Sequence, residues 1–132
     1  MTLARTWYAL AALITATTVA APAATAGEPT TAPETFLVLG IAVRGEGQFV
    51  TLRCDPPSGT HPLAEAACKA LVAAGGDLDK VVGKPDTLCP ASYDPVTATA
   101  SGSYQGTKVL FRRSYSNPCD LAKGTAPVFQ FR

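Results

Sequence analysis

The chain has 132 residues, with 11 lysines and arginines against 10 aspartates and glutamates. This near-neutral balance argues against nucleic acid or an anionic membrane surface as the main partner, because both attract an excess of positive charge. The length suits one compact domain once a targeting segment is set aside.

Residues 1–26 are predicted to be a signal peptide. Arg5 supplies the positive charge near its start, and residues 7–21 form an apolar stretch rich in alanine and threonine. The small-x-small sequence at residues 24–26 predicts cleavage before Gly27 and secretion of the rest. An uncleaved membrane anchor is the alternative, but the next apolar stretch has only the length of a strand, so no membrane association is expected after cleavage.

A domain is predicted over residues 35–132, after a short lead-in. Residues 27–34 are polar and contain two prolines, which predicts a flexible lead-in. Thr35–Val43 is a continuous apolar run rich in β-branched residues and is interpreted as a buried strand. A glycine turn at residues 45–47 leads to an alternating second strand at residues 49–53.

A helix is predicted from Pro62, a residue that suits the first helical position, to the pair Gly75-Gly76, which ends it. Apolar residues recur on one face of this helix, at Leu63, Ala67 and Leu71. His61 stands at its start, where we interpret it as a loop histidine beside a helix end; a catalytic or ligand role is the alternative. A short helical turn is expected around residues 78–82.

The most informative stretch begins at a cysteine and is bracketed by prolines. Proline holds its own φ near −65° and favours extended geometry in the residue before it, so the segment is predicted to be stiff, extended and exposed. A protease cleft accepts a substrate segment of this shape. If the rest of the fold prevents the segment from relaxing, the protease binds the segment and gains little by cutting it. The sequence is Cys89-Pro90-Ala91-Ser92-Tyr93-Asp94-Pro95.

The remainder predicts a hairpin, a short helix and a last strand. Residues 96–101 and 108–115 alternate as two strands around a turn at residues 104–106, residues 117–124 form a short helical turn, and residues 128–131 alternate again. The predicted fold is therefore α+β: a five-stranded antiparallel sheet with one main helix and one short helix.

Four cysteines in a small exported domain predict two disulfides, which can pair in three ways. Zinc is the competing use, but no two cysteines lie two to four residues apart and the chain has one histidine, so no metal or cofactor is expected. Nor is an enzyme expected, because the single histidine lies in a proline-rich loop and the carboxylate pair Asp77 and Asp79 lies in a polar connector. The cysteines are Cys54, Cys68, Cys89 and Cys119.

Five motifs follow one another along the chain. They are Cys-Asp-Pro-Pro-Ser-Gly-Thr-His-Pro at residues 54–62, Ala-Ala-Cys at 66–68, Gly-Gly-Asp-Leu at 75–78, the segment from Cys89 to Val96, and Tyr-Ser-Asn-Pro-Cys at 115–119. Together they resemble the Streptomyces subtilisin inhibitor family of secreted serine protease inhibitors. They occur in the family's order over nearly all of residues 35–131, and their cysteine spacing makes the match specific.

The resemblance implies a secreted, dimeric substrate mimic of subtilisin-like proteases, with disulfides Cys54–Cys68 and Cys89–Cys119. It places the reactive bond at Ala91–Ser92. It makes Asn117 and Pro95 supports of the loop, Asn117 through its side-chain amide; a plain turn residue before a proline is the alternative for Asn117. The residues expected to contact the protease are Leu88, Cys89, Pro90, Ala91, Ser92, Tyr93 and Asp94.

Ala91 departs from the larger residues, such as Met or Lys, that family members often carry at the matching place. Two other functions stay open from the sequence: a non-inhibitory secreted binding module, and inhibition of a metalloprotease through the same loop. The sequence also leaves open whether four apolar residues form a face for self-association or part of the core; they are Val109, Phe111, Val128 and Phe129.

Overall fold

The structure, a computed structural model, describes residues 12, 16–23, 27 and 32–131. The chain divides into two compact units, Met1–Thr30 and Thr31–Arg132, of which the second is the subject here. The predicted cleavage site, most of the signal peptide and residues 28–31 of the lead-in lie outside the described residues. Within the described residues no helix has the length and apolar character needed to cross a membrane.

The domain is built on one antiparallel sheet of four strands, arranged in the order β2-β1-β3-β4. The two hairpins, β1–β2 and β3–β4, lie side by side and are joined where β1 pairs with β3. β1 is the most apolar of the four strands, as suits a central strand with neighbours on both edges. The strands are β1 (Thr35–Val43), β2 (Glu46–Cys54), β3 (Val96–Tyr104) and β4 (Thr107–Tyr115).

The core lies on one face of this sheet, beneath two helices. The helices are α1 (Ala64–Ala73) and α2 (Pro118–Thr125), and a 3-10 turn (Leu78–Lys80) lies between them in the sequence. The sequence left open whether four apolar residues form a face for self-association or part of the core. Three of them are buried in the core, and the fourth, Val109, is half-buried and packs against the core. The three buried residues are Phe111, Val128 and Phe129.

The main helix begins two residues later than predicted, at Ala64 instead of Pro62. The backbone of Leu63 is not helical, with φ −119° and ψ 43°, and its N–H is bonded to Nδ1 of His61 at 2.9 Å. The C-terminal end is as predicted, because the N–H groups of Gly75 and Gly76 bond back to carbonyls in the last turn of α1. A disulfide between Cys54 and Cys68 joins the end of β2 to this helix.

The predicted fifth strand at residues 128–131 is wrong. The N–H of Val128 bonds to the carbonyl of Thr125, and the N–H of Gln130 bonds to the carbonyl of Pro127, so this segment forms turns with itself after α2. Its apolar side chains are nevertheless buried. A buried turn and a half-buried strand can carry the same alternating pattern, and only the pairing of the backbone distinguishes them.

Candidate functional site

The longest irregular segment of the domain, residues 81–95, connects the 3-10 turn to β3, and its part from Gly83 to Pro95 is called the 83–95 loop below. From Thr87 to Pro95 it has no regular secondary structure. Two of its large side chains lie almost entirely in solvent, with Leu88 95% and Tyr93 82% exposed. Ala91 and Ser92, which lie between these two side chains in the sequence, are exposed as well.

The loop begins against the C-terminal end of α2. The N–H of Lys84 donates to the carbonyl of Lys123 at 2.8 Å. Gly83 has a φ of +66°, and a Cβ placed there would lie 2.2 Å from that same carbonyl oxygen. Glycine is therefore required here by both the backbone conformation and the close approach of α2.

A disulfide fixes the loop to the other end of α2. Cys89 is bonded to Cys119, in the first turn of the helix, with 5.6 Å between their Cα atoms. With Cys54–Cys68, this gives the pairing that the family resemblance implied, and no described cysteine is free. The loop is thus attached covalently two residues before Ala91.

Asn117 connects the helix to the loop with a single side chain. Its Oδ1 accepts the N–H of Asp120 at 2.9 Å and so caps α2, while its Nδ2 donates to the carbonyls of Pro90 at 3.2 Å and Ser92 at 3.0 Å. Nδ2 also lies 3.3 Å from Oδ2 of Asp120. Asn117 is 3% exposed, so its amide is held firmly and bonds to the loop on both sides of Ala91.

The end of the loop is held by two contacts at Asp94. Its N–H donates to the carbonyl of Ser116 at 2.8 Å, and its Oδ1 accepts from Nε of Arg44 at 3.0 Å. Two residues later Val96 enters β3, where it pairs with β1 and β4. Pro95 is exposed, between Asp94 and the sheet.

Sequence reasoning missed Arg44 and Ser116 as neighbours of this loop. Arg44 lies 50 positions before Asp94, in the turn between β1 and β2. Ser116 contributes only its carbonyl, which any residue type would supply. No sequence signal identifies either contact, since both depend on how the hairpins are placed around α2.

The chain's one histidine is engaged in structural hydrogen bonds. His61 uses both ring nitrogens structurally: Nδ1 accepts from Leu63, so Nε2 carries the proton and donates to the carbonyl of Val128 at 2.8 Å. Burial lowers the pKa of His61 below its usual value, and the bond to Val128 opposes this only in part. Within the described ranges no three His, Cys, Asp or Glu residues lie together in a way that could hold a metal.

Residues 35–117 match the protein-family model described as subtilisin inhibitor-like. The subtilisin inhibitor of Streptomyces albogriseolus is 47% identical over 83 residues, which are 62% of this chain and 58% of that protein. The chain thus spans less than two thirds of that relative. A subtilase-type protease inhibitor of Streptomyces coelicolor is 39% identical over 133 residues, covering 89% of this chain and 92% of that protein.

A solved structure is also similar. The crystal structure of Streptomyces caespitosus sermetstatin in complex with Bacillus licheniformis subtilisin matches with a TM-score of 0.62 and 33% sequence identity. The match covers 74% of this chain and 99% of the matched chain.

Proposed function

Because the chain belongs to the subtilisin inhibitor-like family, we propose that it inhibits subtilisin-like serine proteases with the 83–95 loop. The reactive bond of this proposal is Ala91–Ser92. The observation that carries the proposal is the position of Asn117, whose buried amide bonds to the Pro90 and Ser92 carbonyls on the two sides of that bond. A loop held in this way resembles a bound substrate before any protease is present.

Rigidity favours binding because ordering a backbone residue costs about 1–2 kcal/mol. A free peptide loses this freedom when it enters a protease cleft, whereas the loop is already held by a disulfide and by Asn117. The exposed side chains of Leu88 and Tyr93 are then available for apolar contacts along the cleft on the two sides of the reactive bond.

The same contacts explain how cleavage is made unproductive. Attack by the protease serine breaks the Ala91–Ser92 bond and joins the Ala91 carbonyl carbon to the serine oxygen as an ester. The proton of the serine hydroxyl passes to the nitrogen of Ser92, which leaves as a free amine. Ala91 lies two residues after the disulfide-bonded Cys89, and the carbonyl of Ser92 is bonded to Asn117. The amine therefore stays beside the acyl group, and re-formation of the peptide bond competes with release.

Ala91 sets the expected specificity. Its methyl group fills only part of a subtilisin-type primary pocket, and relative to Met it forgoes about 2 kcal/mol of apolar burial, at about 0.8 kcal/mol per methylene. We expect good but not maximal inhibition of subtilisin and weak inhibition of trypsin, whose pocket requires a basic side chain. A protease with a small, elastase-like pocket suits Ala91 better.

Secretion and a homodimer are part of the same proposal. The sheet face opposite the core carries Phe49, which is 67% exposed, and Leu110, which is 80% exposed. The strand register puts both on this outer face, in adjacent cross-strand rows. A second copy that covers this face would remove both side chains from water. Sedimentation of the secreted form over a range of concentrations tests the homodimer. A monomer at every concentration would contradict it.

Titration of active subtilisin with the purified protein tests the inhibitor proposal. We expect a one-to-one complex and slow cleavage at a single site that gives a new amino terminus at Ser92. Ala91→Asp should weaken inhibition by more than about tenfold, because it brings a charge into an apolar pocket. Ala66→Asp, the same change at an exposed position on α1, is the matched control and should inhibit normally.

Other outcomes of this titration identify the rival functions. Rapid digestion of the protein, or no effect on subtilisin, would indicate a binding module that has no inhibitory role. A second titration, of a zinc metalloprotease, tests the other rival. Inhibition of that enzyme without inhibition of subtilisin would indicate a metalloprotease as the target.

A further inference from the structure

The turn between β1 and β2 carries an arginine at an unusual position. Val43 pairs with Glu46, so the turn consists of Arg44 and Gly45, with φ values of +52° and +81°. Two-residue turns of this kind favour Asn, Asp or Gly at the first position, because a residue with a long side chain is strained at positive φ. The turn between β3 and β4 also has a long side chain at this position, Gln105 with a φ of +46°, so the case for Arg44 depends on what its side chain contacts.

The side chain of Arg44 is directed to the 83–95 loop. Its Nε donates to Oδ1 of Asp94 at 3.0 Å, three residues after Ala91. The Arg44 side chain is 79% exposed and that of Asp94 34% exposed, so the pair lies at the surface beside the loop. The N–H of Asp94 is bonded to Ser116, and the residue is therefore held through both its backbone and its side chain.

We propose that Arg44 is a positioning residue for the part of the loop that follows the reactive bond. On the side before the bond the loop has a disulfide, but after it the ties are hydrogen bonds and this ion pair. Arg44 fixes Asp94 and thereby limits how far the amine of Ser92 moves away after cleavage. This role in cleavage depends on the proposed inhibitory function, whereas the restraint on Asp94 exists in the free protein.

The restraint that an ion pair supplies weakens as the ionic strength rises, whereas the restraint from a disulfide does not depend on ionic strength. Exposed pairs contribute modestly, so removing this one should accelerate both local opening at Asp94 and cleavage of the reactive bond by about twofold to fivefold. The effect should disappear in about 1 M salt, where the screening length falls to about 3 Å.

The test compares Arg44→Gln with Arg53→Gln. Arg53 is a matched control, because it is also exposed and paired, with Glu34 at 3.6 Å, near the opposite end of the β1–β2 hairpin. Amide hydrogen exchange of Asp94 in the free protein is measured at low and high salt, together with cleavage in the subtilisin complex. We expect faster exchange and cleavage only in Arg44→Gln at low salt, and partial restoration in Arg44→Lys.

A charge-reversed double variant, Arg44→Asp with Asp94→Arg, should recover slow exchange that each single reversal loses. Equal exchange of Asp94 in Arg44→Gln and the parent protein at low salt would overturn the positioning role, whatever the inhibition. If the parent fails to inhibit any serine protease while Arg44→Gln still exchanges faster, the restraint stands and the proposed function falls.

Discussion

Asn117 offers a test of how rigidity of the loop would produce the proposed inhibition. Its Oδ1 caps α2 at 2.9 Å from the nitrogen of Asp120, and its Nδ2 donates to the Pro90 and Ser92 carbonyls at 3.2 and 3.0 Å. A helix cap contributes about 1 kcal/mol to stability. Each net hydrogen bond contributes about 0.5–1.5 kcal/mol, so the two loop bonds together are worth about 1–3 kcal/mol.

Two substitutions separate these contributions. Asn117→Ser keeps an oxygen that can cap the helix, but its hydroxyl is too short to reach the loop carbonyls, whereas Asn117→Ala loses both functions. Since each 1.4 kcal/mol is a factor of ten, we expect both variants to be cleaved at Ala91–Ser92 about 5- to 150-fold faster. Only Asn117→Ala should lose the further 1 kcal/mol or so of global stability that the cap provides.

The assay follows intact and cleaved protein by mass spectrometry after mixing with stoichiometric subtilisin, and urea unfolding gives the free energy of each variant. Slow cleavage of Asn117→Ser, together with fast cleavage of a destabilised Asn117→Ala, would refute the reasoning. That result would mean that the side chain acts on the loop only by capping α2.

Two further predictions concern stability. Burial lowers the pKa of His61, and the hydrogen bond to the Val128 carbonyl opposes this lowering. Below about pH 6.5 the imidazole therefore binds a proton more readily in the unfolded chain than in the native protein. The free energy of unfolding should therefore fall on acidification below that pH, by at most about 1.4 kcal/mol per pH unit from this residue, and urea titrations of His61→Gln should lack this contribution. Gly83→Ala should destabilise by more than about 1 kcal/mol, because its Cβ would meet a carbonyl oxygen of α2 at 2.2 Å. Gly75→Ala is the control, since Gly75 has a similar φ of +65° and open space around it; an equal loss in thermal unfolding for both variants would contradict the steric explanation.

Much of the secondary structure could be predicted because its signals are local. The apolar run of β1 predicted that strand with the bounds the structure has, and the glycines after α1 marked its end. The prolines around Ala91 predicted a stiff, extended and exposed segment, and most of this segment is exposed in the structure. In each case neighbouring residues restrict the backbone of the residue concerned, and no distant contact is needed.

The last segment of the chain shows where this local reasoning failed. Residues 128–131 alternate as a strand would, yet the N–H groups of Val128 and Gln130 are bonded to carbonyls three residues before them. The preference for a turn over a strand was decided by where the chain leaves α2 and by the burial of Phe129 and Phe131 in the core. Such burial depends on elements that are far away in the sequence.

The sequence by itself determined the four strands of the sheet, the two helices and the exposed stretch around Ala91, since these follow from periodicity and from proline and glycine. It also predicted a fifth strand that the structure does not have. Only the tertiary structure decided how the stretch around Ala91 is held. The contacts of Arg44 with Asp94 and of Asn117 with the Pro90 carbonyl join residues 50 and 27 positions apart. Hydrogen bonds of this range form only after the sheet and α2 have packed, because an unfolded chain must lose much conformational entropy to bring such distant groups together.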